Sequence, residues 1–259
     1  MSGYLEIKNK KIGLGAPKIC IPLMGRTETD ILSEADKIIS ASRSNRIDMV
    51  ELRGDFFEGL SDYVRLDAIL KKLSEKMGDM LLLFTIRSER EGGEPLSFGS
   101  PTVNEINAHV ISSGLVELVD VELLSGDEEV EGLVRLAAEN KTRIIMSNHD
   151  FERTPPAEEL EKRLMKMSEL GADIAKLAMM PENKRQLLDV FSAVENMSGR
   201  LDIPIVAISM GGLGGLSRIC GQVFGSAITF AALERSSAPG QIPLPRLEEA
   251  LDIVEQFCI

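Results

Sequence analysis

Eight short runs rich in aliphatic and β-branched residues recur along the chain, with helical patterns filling the gaps between them. The runs are "KICIPL" (18–23), "DMVELRG" (48–54), "LLLFTIR" (81–87), "LVELVDVE" (115–122), "RIIMSNHD" (143–150), "IAKLAMM" (174–180), "PIVAISM" (204–210) and "GSAITFA" (225–231). Most begin about 30 residues after the previous one, the length of one strand–helix–strand unit. The intervening segments carry helix signals. "ETDILSEADKIISAS" places Ile31, Leu32, Ala35, Ile38 and Ile39 on one face, and "PAEELEKRLMKMSELGA" opens with proline and acids and ends at Gly171. "GDEEVEGLVRLAAENK", "ENKRQLLDVFSAVENM" and "PRLEEALDIVEQF" repeat the design. Eight strands, each followed by a helix, predict a closed (β/α)₈ barrel. The rival, an open doubly wound sheet, is disfavoured because polar groups gather at many strand ends instead of at one glycine fingerprint.

The leading "YLEIKNKKIG" alternates apolar and polar residues and predicts a hairpin that closes the N-terminal end of the barrel. No linker or low-complexity tract divides the chain, so a single domain over 1–259 is expected. Aromatic residues make up only 4 % of the 259 residues, so the core must be built from Leu, Ile, Val, Ala and Met. The net charge of −12 argues against a nucleic-acid partner, which requires a basic face. A few arginines within a cleft still suffice for a small anion. Cys20, Cys220 and Cys258 are scattered and odd in number, so no disulfide framework is expected. No apolar run approaches a membrane span, and the N-terminus lacks the pattern of a signal peptide, which together predict a cytoplasmic protein with no membrane partner.

In barrel enzymes the chemistry sits at the C-terminal ends of the strands. Those ends supply Glu51 and Arg53, two apart and hence on one face, then Arg87, with Glu91 in the glycine-containing loop that follows. Next come Asp120 and Glu122, His149, Lys176 and, after the "GGLGG" run, Arg218. Asp120 and Glu122 read as internal salt-bridge partners, and His109 as a helix surface or packing residue. "GGLGG" lacks the lysine of a phosphate loop and has Ser217 where a third glycine is needed, so it reads as a flexible loop. No cluster suits a metal.

Alone, Lys176 in "GADIAKLAMM" reads as a strand lysine whose head group snorkels to water. Beside His149 on the preceding strand it reads differently. Burial among apolar side chains disfavours an ammonium and frees the amine, which attacks a carbonyl to form an imine, an electron sink for removing a neighbouring proton. Imidazole fits as the base. Arginines from three strands are expected to converge on a carboxylate or several oxygens. The combination points to Schiff-base lyase chemistry on a small, anionic, oxygen-rich carbonyl compound.

"ELRGD", "FTIRSEREGGE", "MSNHDFERTP", "IAKLAMMPEN", "SMGGLGGLSRICGQVFGSA" and "SSAPGQIPL" together resemble the type I 3-dehydroquinate dehydratases. The likeness runs from "APKICIPLMG" to the last helix. It implies dehydration of 3-dehydroquinate to 3-dehydroshikimate in the shikimate pathway, without metal or organic cofactor. By the same resemblance Lys176 forms the imine, His149 is the general base and acid, and Glu91 orients His149. Arg218 pairs with the substrate carboxylate, while Glu51, Arg53, Arg87, Ser237 and Gln241 hold hydroxyls and close a loop over the site. Members of the family are commonly homodimers. Pro22 is a departure, standing where relatives often carry a serine near the substrate. Two other readings compete: a Schiff-base aldolase acting on a sugar phosphate, which needs a phosphate site in the last loops, and a non-catalytic barrel that only binds a shikimate-like acid.

Overall fold

The computed structural model describes residues 3–96 and 99–258, so the expected unit 1–259 extends beyond the described residues at 1, 2, 97, 98 and 259. Its barrel strands are β3 (Lys18–Leu23), β4 (Met49–Arg53), β5 (Leu81–Thr85), β6 (Leu118–Glu122), β7 (Arg143–Asp150), β8 (Ile174–Met179), β9 (Ile205–Ser209) and β10 (Ile228–Ala232). From β3 to β9 each pairs in parallel with the next, and β10 pairs with β3. The ring closes between β9 and β10. There Ala227 N donates to Ile205 O at 2.7 Å, and the Ser226 hydroxyl accepts from Ala207 N at 3.0 Å. The fold is the expected (β/α)₈ barrel.

Alternation along each strand sorts residues into two cores. Val50, Leu52, Leu82, Phe84, Val119, Val121, Ile144, Ala175, Leu177 and Met179 face the helix layer. Burying each of the larger of these contributes about 2 kcal/mol. Cys20, Met49, Leu81, Leu118, Ile145, Ile174, Val206 and Ile228 face inward as an apolar floor. The hairpin of β1 (Leu5–Ile7) and β2 (Lys10–Ile12) packs beneath that floor, with Ile12 fully buried in it and Leu5 and Ile7 against it. This is the plug the sequence predicted.

Local chemistry starts and stops the helices. Thr27 and Asp30 form a capping box at α1 (Glu28–Ala41), and Asp62 caps α2 (Tyr63–Met77). Thr102 and Glu105 repeat the box at α3 (Val103–Ser113), and α4 (Asp127–Asn140) opens with three acids. Pro156 precedes α5 (Ala157–Glu169), and Asn183 caps α6 (Lys184–Ser198). After β9, the first four residues of "GGLGG" form a turn, and Gly215 opens α7 (Gly215–Ile219). Ser217 donates its hydroxyl to Gly214 O at 2.7 Å and accepts from Ser209 N at 2.9 Å, which ties down the turn. The residue that spoiled the glycine motif is a structural lock. Short α8 (Gly221–Phe224), a two-residue strand β11 (Ile242–Pro243) beside β10, and α9 (Leu244–Glu255) complete the chain. Among the described residues, no helix is long and apolar enough to cross a membrane.

Candidate active site

Above the apolar floor, the inward positions of the strands become polar. Glu51, Arg53, Arg87, Glu91, His149, Lys176, Arg218, Ser237 and Gln241 all line one cleft at the C-terminal end of the barrel. Phe151, Ile208, Met210 and Phe230 complete its walls. Pro22 shares the inward parity of Cys20 but is not among the residues lining this cleft.

Lys176 is only 4 % exposed, and its Nζ donates to Asp120 Oδ2 at 3.0 Å while lying 4.8 Å from the centre of the Phe230 ring. The expectation of apolar neighbours around this head group is met only in part. Ala175 and Leu177 point to the helix layer, Ile174, Ala178 and Phe230 face inward with Lys176, and the head group itself meets a carboxylate. Asp120 also pairs with Arg87 Nη2 at 2.8 Å and accepts from the Ser147 hydroxyl at 2.5 Å. Burial alone would raise the Asp120 carboxyl, but Arg87, Lys176 and the Ser147 hydrogen bond together hold it down at about 2.

Arg87 is a hub. Its Nη1 donates to Glu122 Oε1 at 3.1 Å and to Ser147 Oγ at 2.9 Å, and lies 3.5 Å from Glu91 Oε2. Arg53 makes a two-point fork with Asp55, at 2.9 and 2.7 Å. Glu51 accepts from Thr85 Oγ1 at 2.9 Å, so Glu51 and Arg53 share a face without forming an ion pair. The three arginines expected to converge as free cations therefore differ. Among the described residues, Arg218 alone of the three has no carboxylate partner. It is 1 % exposed, donates from Nη2 to Pro239 O at 2.9 Å, and its buried Nε has no acceptor. Burial lowers it to about 10, so it is still a cation at neutral pH, and one that an incoming anion would relieve.

Glu91 ends a single helical turn (Glu89–Glu91) that Gly92 closes in the left-handed conformation, φ +83°. A Cβ on Gly92 would meet the Phe151 ring at 2.4 Å. The turn points the Glu91 carboxylate at β7, where Oε2 accepts from His149 N and meets His149 Nδ1, each at 2.9 Å. Oε1 accepts from Asn148 Nδ2 at 3.1 Å. Burial, and then the charge of Glu122, push Glu91 up to about 7. His149 is driven well below its usual 6.5 by burial and then by the cations Arg87, Lys176 and Arg53. It is thus a free base at neutral pH, with Nδ1 turned to Glu91 and Nε2 left for the cleft. His149 and Lys176 sit on adjacent strands, with Ser147 registered opposite Lys176 and His149 opposite Ala178.

Over the cleft, Gln241 Nε2 donates to Ser237 Oγ and Ser237 N donates to Gln241 Oε1, both at 2.9 Å. This loop rests on the turn after β9 through Gly211 N to Pro239 O at 3.2 Å. His109 lies elsewhere, its Nε2 2.7 Å from Asp67 Oδ1 and its ring stacked on Tyr63 at 4.0 Å. Asp55, Asp120 and Phe230 join the site without a sequence signal of their own. Asp55 follows Arg53 closely in "ELRGD", and Asp120, expected as a salt-bridge partner, is one, but of the lysine itself.

Residues 19–257 match the family model described as type I 3-dehydroquinase. A 3-dehydroquinate dehydratase of Bacillus subtilis is 43 % identical over 253 residues, covering 97 % of this chain and 97 % of that protein. One from Clostridioides difficile is 40 % identical over 257 residues and covers 99 % of each. Among solved structures, the Geobacillus kaustophilus 3-dehydroquinate dehydratase superposes with a TM-score of 0.95 at 35 % identity, covering all of both chains. The Clostridium difficile type I enzyme, solved with covalently modified comenic acid, superposes at 0.93 with 40 % identity and covers 99 % of this chain and all of its own. With a family match spanning nearly its whole length and full-length relatives at this identity, the chain belongs to the type I 3-dehydroquinase family.

Proposed function

We propose that this chain dehydrates 3-dehydroquinate to 3-dehydroshikimate, a hydro-lyase step of the shikimate pathway, through an imine at Lys176 with His149 as the acid–base group. The observation that carries the reading is the pairing of a buried amine and a neutral imidazole on adjacent strands in one cleft.

The amine of Lys176 adds to the ring ketone, and the carbinolamine takes up one proton and loses water to give a protonated imine, a proton that hydrolysis of the product imine returns. Nε2 of His149 takes a proton from the methylene beside the former ketone, and the electron pair moves into the iminium to give an enamine. The enamine expels the hydroxyl one carbon further on, and the imidazolium returns its proton so that the hydroxyl leaves as water. Hydrolysis of the conjugated imine frees the product and the lysine. Glu91 accepts from Nδ1–H and so steadies the imidazolium between the two transfers. Arg218 takes the substrate carboxylate. Glu51, Arg53 through the Nη1 outside its Asp55 fork, Arg87, Ser237 and Gln241 hold ring hydroxyls, and the last two close the loop over the ring. This sequence of steps uses amine, imidazole and carboxylate and calls for no cofactor, so activity should survive a chelator.

Incubation with 3-dehydroquinate should produce the ultraviolet absorbance of a conjugated enone, and borohydride should leave ligand mass on Lys176. A well-folded protein that does neither overturns the proposal. The proposal extends to a single folding unit over 1–259 acting as a cytoplasmic homodimer. Light scattering and a single unfolding transition test the dimer and the unit, and cell fractionation tests the location.

A further inference from the structure

Asn148 stands between two inward-facing residues of β7, Ser147 and His149, so its own side chain leaves the barrel towards α5. It is 2 % exposed and satisfied on both sides of its amide. Nδ2 donates to Glu91 Oε1 at 3.1 Å, and Oδ1 accepts from Arg163 Nη1 at 2.7 Å. Arg163, half-buried on α5, is held in turn by Glu159 one helical turn earlier. A hydrogen-bonded chain thus runs from the outer helix layer, Glu159–Arg163–Asn148–Glu91–His149, into the cleft.

An amide can be turned over with little change of shape, exchanging donor for acceptor. A guanidinium only donates. Arg163 therefore decides which end of Asn148 faces the site: Oδ1 must point at Arg163, and Nδ2 must point at Glu91. With the amide reversed, Oδ1 would face a carboxylate oxygen at hydrogen-bond distance, two acceptors that coexist only when Glu91 takes up a proton. A protonated Glu91 is a poorer acceptor for His149 Nδ1–H. The other charges facing Glu91 are Arg87, 3.5 Å away, and Glu122 on β6, with Arg90 beside Glu122 and Asp120 behind Arg87. Burial and Glu122 push towards protonation, so the balance is close enough for one fixed donor to matter.

We propose that Arg163 is a positioning residue: by pinning the Asn148 amide from outside the barrel, it presents a donor to Glu91 and keeps that side chain in the acceptor form that orients His149. This rests on the reading of His149 as the general base.

The test is the pH dependence of kcat/KM for dehydration by wild type, Arg163→Met, Arg163→Lys and Asn148→Ala. Arg163→Met should move the acid limb upward by roughly half a unit to one unit and lower the rate at pH 7 several-fold. Arg163→Lys, whose ammonium also only donates, should return the limb most of the way. Borohydride trapping on Lys176 should persist in every variant, because the lysine is outside this chain of bonds. An unmoved acid limb in folded Arg163→Met, or an Arg163→Lys no closer to wild type than Arg163→Met, overturns the proposal. Should Arg163→Met not fold, Asn148→Ala, which removes the donor itself, is read for the same shift: an unmoved acid limb there, or an Arg163→Lys limb no closer to wild type than that of Asn148→Ala, overturns the proposal. His149→Ala separates this idea from its premise. If that variant keeps full activity, the base assignment fails. If it is inactive while the limb stays put in Arg163→Met, only the role of Arg163 fails.

Discussion

Lys176 Nζ lies 3.0 Å from Asp120 Oδ2, and Asp120 is gripped from its other side by Arg87 at 2.8 Å. A carboxylate held down at about 2 stays ionised beside the lysine nitrogen. It is a permanent counter-ion, placed where the protonated imine develops its charge. Asp120→Asn should lower kcat by about 100-fold, the scale of losing one preorganised electrostatic partner, and reduce the fraction of Lys176 trapped by borohydride. Rates per folded molecule are the measurement, because uncovering Arg87 and Lys176 also costs about 3 kcal/mol of stability.

The carboxyls of Asp120 and Glu91 give opposite dependences of stability on pH. The folded Asp120 value lies below the ordinary 3.8, so its contribution is complete above about pH 4 and is lost as pH falls towards 2. Glu91 at about 7 lies above its ordinary 4.5, so the folded state holds a proton that the unfolded chain releases, and stability declines as pH rises from 4.5 to 7. Denaturant titrations across pH should show that decline vanish in Glu91→Gln. A decline of unchanged slope would count against the raised value.

Activity should rise with pH through about 7, where the Glu91–His149 pair loses a proton, since His149 itself is neutral well below its usual 6.5. In Glu91→Gln this limb should disappear from the profile of kcat and the plateau should drop, while Lys176 is still trapped as the imine.

Among the described residues, buried Arg218 has no carboxylate partner and no acceptor for its Nε, which makes it the group most improved by an anionic substrate. Arg218→Ala should raise KM by about 10- to 100-fold, the worth of a charge-assisted hydrogen bond, with a smaller effect on kcat. Steady-state kinetics decide; equal losses in kcat and kcat/KM would place its action in the transition state instead.

Gly240 has φ +79°, and a Cβ there would lie 2.4 Å from Gly211 O. Gly240→Ala should lift the loop carrying Ser237 and Gln241 from the turn after β9, raising KM several-fold while the barrel melts within a few degrees of wild type. A normal KM would show that the closed loop tolerates the displacement.

Strand runs such as "KICIPL" and "RIIMSNHD" coincide with β3 and β7 because side-chain alternation, helix caps and their spacing are local properties written in consecutive residues. Their number and order were enough to specify a barrel, and the barrel rule was enough to bring Lys176, His149, Glu91 and Arg218 to one end. What touches what was decided elsewhere. Asp120 is 56 residues from Lys176, and only closure of the ring carries its carboxylate to the ammonium. The apolar letters around Lys176 suggested a dry pocket, but strand parity turns Ala175, Leu177 and Met179 outward, and Ile174 and Ala178 face inward beside a lysine whose head group meets Asp120. Arg163, spaced four residues from Glu159, reads as part of a solvated helix face until α5 packs on β7 and sets it against Asn148. Local periodicity fixes which way a side chain points. Its partner depends on distances across the ring, which exist only once the strands are closed and the helices are seated.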